Sequence, residues 1–160
     1  MRAIGIAVAF VLLAGIAAAQ PSAQTPKLYT SAADITALQA KAKSERKENQ
    51  AIVQERILQL APYSANMEYR ASVGPAAIHE KEAEMFYVID GSATMITGGK
   101  LVGETRNGDN LQGTAIENGQ SRTVAKGDFI IVPEGTAHWF SAINGSITLM
   151  SLHVPRTAGK

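Results

Sequence analysis

The chain lacks cysteine and carries almost no excess of charge. Its 160 residues include no Cys, one Trp, and 15 Lys and Arg against 14 Asp and Glu, a formal net charge of +1. The absence of Cys excludes disulfides, thiolate metal ligands, a thiol nucleophile and lipid attachment through Cys. The balanced charge excludes a strongly basic nucleic-acid binder and an acidic tail. The remaining composition, 46% hydrophobic and 18% charged, is typical of a globular chain long enough for one domain.

The first 19 residues have the pattern of a secretory signal peptide. Arg2 is their single charge, an apolar run from Ala3 to Ile16 follows, and small residues up to Ala19 form a cleavage site. The run is short for a membrane span of about 20 residues, and an uncleaved anchor is the alternative. We therefore expect export to the periplasm or the medium, with cleavage after Ala19. Losing Arg2 leaves 14 basic and 14 acidic residues, so we expect neither nucleic acid nor, after cleavage, a membrane as partner.

Between the signal and residue 50 the sequence predicts a flexible leader and one helix. Residues 20–30 combine two prolines with small polar residues, which is typical of a leader. Residues 31–48 are rich in Ala, Lys, Glu and Leu, and their apolar residues recur at helical spacing. Ser31 followed by Asp34 is a helix start signal. We predict an amphipathic helix over residues 31–48.

Residues 50–156 predict an all-β domain. Short apolar or alternating stretches recur there, separated by turn signals such as Asp90-Gly91 and Asn144-Gly145. Many short strands punctuated by Gly are typical of a sandwich or a barrel. The longest polar, Gly-rich segment, Gly98–Asn110, predicts a flexible loop or a hairpin.

Two segments of this domain have regular spacings of Gly, His, Glu and Pro. Gly127, Pro133, Gly135 and His138 fit the pattern G-x5-P-x-G-x2-H, and His79, Glu84 and Gly91 fit H-x4-E-x6-G. These segments resemble the two motifs of the cupin superfamily, and the resemblance covers residues 57–155, some two-thirds of the chain. The chain departs from the family pattern twice. The first His of the first motif falls at Ala77, and Ala142 stands where the second motif often has Asn.

The resemblance implies a single cupin-type, jelly-roll-like β-barrel with an N-terminal helix. In that fold alternate residues of a strand point into the barrel. His79, Glu84 and His138 would converge at its mouth and bind a divalent transition metal: Mn, Fe, Ni, Co or Zn. The missing His at Ala77 leaves a metal-free barrel open as the alternative.

Strand alternation also predicts the neighbours of this site. Phe86 and Val88 share a face with Glu84, and Phe140 shares one with His138, so we expect these three apolar residues to line the pocket. Such neighbours would exclude water.

Three further polar residues are candidates of lower rank. His153 shares its parity with Leu149 and Ser151, so it could reach the cavity, but a satisfied structural His is the expectation. Glu80 and Glu82 are candidate replacement ligands or proton carriers, with exposed turn charges as the expectation.

The resemblance leaves the activity open. One hypothesis is an exported metal-dependent isomerase, lyase or dioxygenase that acts on a small organic molecule. The alternative is a metal-free module that binds a sugar or an organic acid. A third is a structural β-domain that forms a homodimer through an edge strand. The chain contains no P-loop pattern and no Gly-x-Ser-x-Gly, which argues against a phosphate loop and a serine hydrolase.

Overall fold

One helix and eleven strands make up residues 25–156, which are the part of the chain that the computed structural model describes. The predicted signal peptide, residues 1–19, and the start of the predicted leader lie outside the described residues. In chain order the elements are α1 (Ala32–Glu45), β1 (Ile52–Leu60), β2 (Tyr63–Arg70), β3 (Ala76–His79), β4 (Glu82–Thr97), β5 (Lys100–Val102), β6 (Thr105–Asn107), β7 (Asn110–Gly113), β8 (Ala115–Glu117), β9 (Gln120–Ala125), β10 (Phe129–Val132) and β11 (His138–Pro155).

Two long strands, β4 and β11, organise the sheet. Strand β11 pairs antiparallel with β4 along most of its length, with β2 on its other side, and with β3 at His138. Strand β4 also pairs with β9 and β10, and nine strands form one antiparallel sheet, while β5 and β8 form a second, two-stranded one. The prediction of an all-β barrel with an N-terminal helix is confirmed. The Gly-rich segment 98–110 forms parts of β5, β6 and β7 and their turns.

The Gly signals at Asp90-Gly91 and Asn144-Gly145 lie inside the two long strands instead of ending them. The register between β11 and β4 shifts between Ile143 and Ile147, which is a bulge opposite Gly91. Gly91 has φ +80, and a Cβ there would lie 2.0 Å from the Ser146 carbonyl oxygen. Gly is therefore required at this position by a close backbone approach within the sheet, not by a hairpin turn.

The strands separate an outer apolar layer from the barrel interior. Along β11, Met150 and Leu152 pack outward in a cluster with Ile35 and Leu38 of α1. Residues of the opposite parity pack inward, in a closed core that includes Leu149. Ser151 and His153 follow Leu149 at alternate positions of β11, so their polar side chains also point inward. The interior therefore changes from apolar to polar toward one end of the barrel.

Helix α1 begins and ends at recognisable signals. Ser31 and Asp34 form a capping box, as the sequence indicates, and the helix ends before Arg46, whose backbone is extended. It is therefore shorter than the predicted 31–48. Before the helix, Lys27 and Gln59 exchange two backbone hydrogen bonds of 2.8 Å, so part of the predicted leader lies along β1. Within residues 25–156, no helix has the length and hydropathy required to cross a membrane.

Candidate metal centre

Four side chains from three strands meet at the polar end of the barrel interior. His79 is the last residue of β3, Glu84 lies at the third position of β4, and His138 is the first residue of β11. His153, near the other end of β11, is the register partner of Glu84. The bulges in β11 allow one continuous strand to contribute two imidazoles to the same site.

The carboxylate of Glu84 is the centre of this cluster. Its Oε2 lies 3.2 Å from Nε2 of His79 and 3.1 Å from Nε2 of His138. Its Oε1 accepts a hydrogen bond from Ser151 and lies 3.4 Å from Nε2 of His153. The structure thus brings the three ligands predicted from the motifs together. It also adds His153, for which we expected a structural role, and His79, Glu84 and His153 each place one ligand atom within 4.8 Å of the others.

Each imidazole is held from outside through its other ring nitrogen. Nδ1 of His79 lies 2.8 Å from Asn110 Oδ1, Nδ1 of His138 lies 3.3 Å from the Thr136 carbonyl oxygen, and Nδ1 of His153 lies 2.7 Å from Glu82 Oε1. A carbonyl and a carboxylate only accept hydrogen bonds, so they place the proton on Nδ1. Nε2 then faces Glu84: in the imidazolium form it donates a hydrogen bond to the carboxylate, and in the neutral form its lone pair is available to a metal.

Opposing influences act on the two central ionisable groups. Burial raises the pKa of Glu84, but hydrogen bonds with His138 and His79 outweigh it and hold this pKa well below its usual range. Burial lowers the pKa of His79, but its hydrogen bonds with Glu84 and Asn110 outweigh that effect and raise the pKa. The carboxylate is therefore an anion at neutral pH, and it needs a cation beside it.

The residues present fit a divalent transition metal. Ligand atoms bonded at about 2.0–2.2 Å to one ion are separated by about 3.0–3.5 Å from their neighbours. The distances of 3.1–3.4 Å from the histidine nitrogens to the Glu84 oxygens match that spacing. The ring centroid of His79 lies 5.2 Å from that of His138 and 5.0 Å from that of His153. Imidazole nitrogens and a carboxylate oxygen are donors that suit a divalent transition metal.

The two glutamates before the site have different environments. Glu80 is exposed and forms a bidentate ion pair with Arg106, at 2.6 and 3.1 Å. It does not line the cavity, in agreement with the expected turn charge. Glu82 is partly buried and holds His153, so the expectation of a free turn charge is wrong for it. The sequence did not indicate this contact because it joins residues of two strands that are distant along the chain.

A cavity of about 180 Å³ opens beside the cluster. Phe140 lies in its wall, as predicted, but Phe86 and Val88 do not. Both belong to the closed core, almost fully buried. The ring of Phe86 packs edge-on against Phe140, with centroids 5.5 Å apart, so Phe140 covers it from the cavity. Strand parity predicts the correct face for these residues but not their depth in the barrel.

The cavity wall also contains a buried ion pair that the sequence did not reveal. Nε and Nη2 of Arg70 donate to one oxygen of Glu68, at 2.9 and 2.6 Å, and Gln54 donates to the other oxygen at 2.7 Å. The guanidinium carbon lies 4.8 Å from the ring centroid of Phe140. The available signal was the alternation of Glu68 and Arg70 with Met67 and Tyr69 in β2. Such polar residues usually face solvent, but here the helix covers the apolar face and the polar face lines the barrel.

Comparison with known proteins agrees with this architecture. The family model described as Cupin matches residues 45–155. The chain belongs to the cupin family. No curated protein sequence is significantly similar to this cupin.

Several solved structures share the fold of this cupin at low sequence identity. KdgF from Halomonas sp. is 17% identical with a TM-score of 0.51, over 71% of this chain and 86% of its own. A putative mannose-6-phosphate isomerase from Ralstonia eutropha JMP134 is 14% identical with a TM-score of 0.51, over 70% and 91%. FeII HppE is 17% identical with a TM-score of 0.51, over 69% of this chain and 54% of its own. The cupin therefore spans about half the length of HppE. At these identities the likeness shows the fold alone.

Proposed function

We propose that this cupin binds a divalent transition metal through His79, Glu84 and His138, and uses it to act on a small organic anion. The observation that carries the proposal is the convergence of inward-facing imidazole nitrogens on the buried Glu84 carboxylate at 3.1–3.4 Å. HppE, which shares the fold, was solved in an FeII form. Two histidines with one carboxylate are the ligand set of non-haem iron oxygenases, and the same donors also suit Mn, Co, Ni and Zn.

The chain's own residues prepare this site for a metal. Glu84 is already ionised at neutral pH because its pKa is held below its usual range. Asn110 orients the His79 ring, and the Thr136 carbonyl orients that of His138. A metal bound there supplies a Lewis acid toward a carbonyl or carboxylate oxygen. Phe140 and Trp139 contribute apolar surface to the cavity wall and so limit the access of water to the reacting group.

The size and polarity of the cavity support a small anion as ligand. A volume of about 180 Å³ holds about six water molecules at their liquid volume. This is below the volume of about 300–1,000 Å³ usual for drug-sized ligands. Arg70 lies in the wall, and its Nη1 donates to no acceptor among residues 25–156. Together with the side chain of Gln112, this edge of the guanidinium offers donors to a carboxylate.

Metal binding is tested with a matched pair of variants. The untagged protein is titrated with Co²⁺ against a chelating indicator, and Glu84→Gln is compared with Glu80→Gln. We expect one site in the wild type, unchanged affinity in Glu80→Gln and a loss of more than about 100-fold in Glu84→Gln, because a direct ligand matters more than an outer partner. A wild type that binds no transition metal would overturn the proposal.

A metal-free binding module is the second candidate, and Ala77 is the observation that favours it, since the first motif lacks a ligand there.

We also propose that the protein is exported. The pattern of Arg2, the apolar run and Ala19 supports this. The mass of the mature protein after expression of the full chain tests it: cleavage after Ala19 is expected, and an intact N-terminus would contradict it.

A further inference from the structure

We propose that His153 is a direct metal ligand and replaces the histidine that the first motif lacks at Ala77. The inference rests on the proposed metal site and adds a ligand that neither cupin motif contains. This cupin would then hold its metal with three imidazoles and one carboxylate.

The position of His153 is the first argument. Its register partner across the sheet is Glu84, and its Nε2 lies 3.4 Å from Glu84 Oε1. Its ring stands at 83° to that of His79, with centroids 5.0 Å apart. Ligand atoms of His79, Glu84 and His153 all lie within 4.8 Å of one another. A modest contraction around one ion brings this set to bonding distance.

The hydrogen bonds of His153 are the second argument. Among residues 25–156, the ring of His153 forms one hydrogen bond, from Nδ1 to Glu82 Oε1 at 2.7 Å. Its Nε2 lies at the longer distance of 3.4 Å from Glu84 Oε1, so the lone pair of the neutral ring faces the interior of the cluster. A carboxylate on Nδ1 makes an imidazole a better ligand through Nε2. The contact to Glu82 is shorter than the contact of 3.3 Å that orients His138.

The wall at Ala77 is the third argument. Ala77 pairs with His138 on one side and with Gln112 on the other, and it lines the cavity. A histidine there would take up part of this cavity. With the additional ligand coming from β11, the small side chain of Ala77 leaves that volume to a bound molecule.

Imidazole NMR of the wild-type protein gives a direct test. The chain has three histidines in all, so its long-range ¹H–¹⁵N spectrum contains three ring systems. Titration with Zn²⁺ should shift Nε2 of all three rings and leave each protonated at Nδ1. Shifts of His79 and His138 with an unchanged Nε2 of His153 would overturn the inference and leave the proposed metal site intact. An unchanged spectrum throughout would instead contradict the metal site itself.

Moving the ligand gives an independent test. Removing a direct ligand in His153→Ala should weaken Zn²⁺ binding by more than about 100-fold, beyond the loss usual for an outer partner. The double variant Ala77→His/His153→Ala should recover Zn²⁺ affinity to within about tenfold of wild type. Val154→Ala, a half-buried neighbour on β11, is the control and should bind as wild type.

Unaltered Zn²⁺ affinity in His153→Ala overturns the inference, as does a double variant that folds but shows no recovery. If His153→Ala does not fold, as judged by circular dichroism, the wild-type NMR titration decides alone.

Discussion

Nε2 of His138 lies 3.1 Å from Oε2 of Glu84, although His138 begins β11 and Glu84 is the third residue of β4, far apart along the chain. Glu84 is almost fully buried, at 4% exposure. A buried carboxylate surrounded by imidazole nitrogens is costly unless a positive charge is present, and the proposed metal ion would supply that charge.

Metal should stabilise the folded protein. A ligand that binds only the native state adds about 2.7 kcal/mol at a concentration 100 times its Kd. We expect Mn²⁺, Co²⁺, Ni²⁺ or Zn²⁺ to raise the midpoint of thermal unfolding, and a chelator to reverse the effect. Calorimetry of untagged protein measures it. Glu84→Gln is the control and should melt at the same temperature with and without these ions. A wild-type midpoint that none of the ions changes would contradict the metal site.

Metal affinity should fall as the pH falls. His79 must lose a proton to bind a metal, and because its pKa is raised, protons compete with the metal up to a pH above the ordinary value of about 6.5. Glu84, whose pKa is lowered, stays ionised over this range and contributes no dependence. Co²⁺ titrations from about pH 6 to pH 8 should therefore show rising affinity, after correction for the indicator alone. Constant affinity would refute the assignment of His79.

The anion site should depend on the ion pair of Glu68 and Arg70 in the cavity wall. Arg70→Gln alone leaves buried Glu68 unpaired and should cost about 3–5 kcal/mol of stability. The double variant Glu68→Gln/Arg70→Gln removes both charges, so it should fold more stably than Arg70→Gln. Oxalate, used as a small dicarboxylate probe, should bind the metal-loaded double variant at least about tenfold more weakly than wild type, because a charge-assisted contact is lost.

Calorimetric oxalate titration measures this loss. Arg122→Gln is the matched control because the Arg122 side chain is exposed and, within the described residues, bonds only to Gln120. Equal oxalate affinity in the wild type and the double variant would show that Arg70 does not bind the anion.

The bulge at Gly91 should be essential for the barrel. Gly108 also has a positive φ, +61, but a Cβ there would meet no atom of residues 25–156 within 4 Å. Gly108→Ala should therefore cost about 1–2 kcal/mol, the backbone strain alone. Gly91→Ala adds a clash with the Ser146 carbonyl and should cost at least about 2 kcal/mol more. Denaturant unfolding of both variants compares them, and equal losses would mean that the bulge relaxes freely.

The motif spacing was sufficient to predict part of the site. His79 and Glu84 flank one turn, and His138 opens a strand, so local sequence determines where each side chain lies in this fold. His153 could not be assigned in the same way. Its place opposite Glu84 depends on how many residues the bulges of β11 absorb, and a shift of one residue would turn it outward.

Arg70 and Phe86 show two other limits of the sequence. The alternation in β2 indicated one polar and one apolar face, but the position of α1 decides which of them faces the interior. For Phe86, parity predicted an inward side chain, whereas its burial beneath Phe140 depends on packing between strands that are distant along the chain. Repeated local signals in the sequence were sufficient to predict the fold. The residues of the cavity wall depend on the register of strands that are distant along the chain.

The measurement that tests the central claim most directly is an anomalous difference map from crystals of untagged protein grown with Co²⁺. The account predicts one strong peak at about 2.0–2.2 Å from Nε2 of His79, Nε2 of His138 and an oxygen of Glu84. A metal-saturated crystal without a peak among these three residues would contradict it.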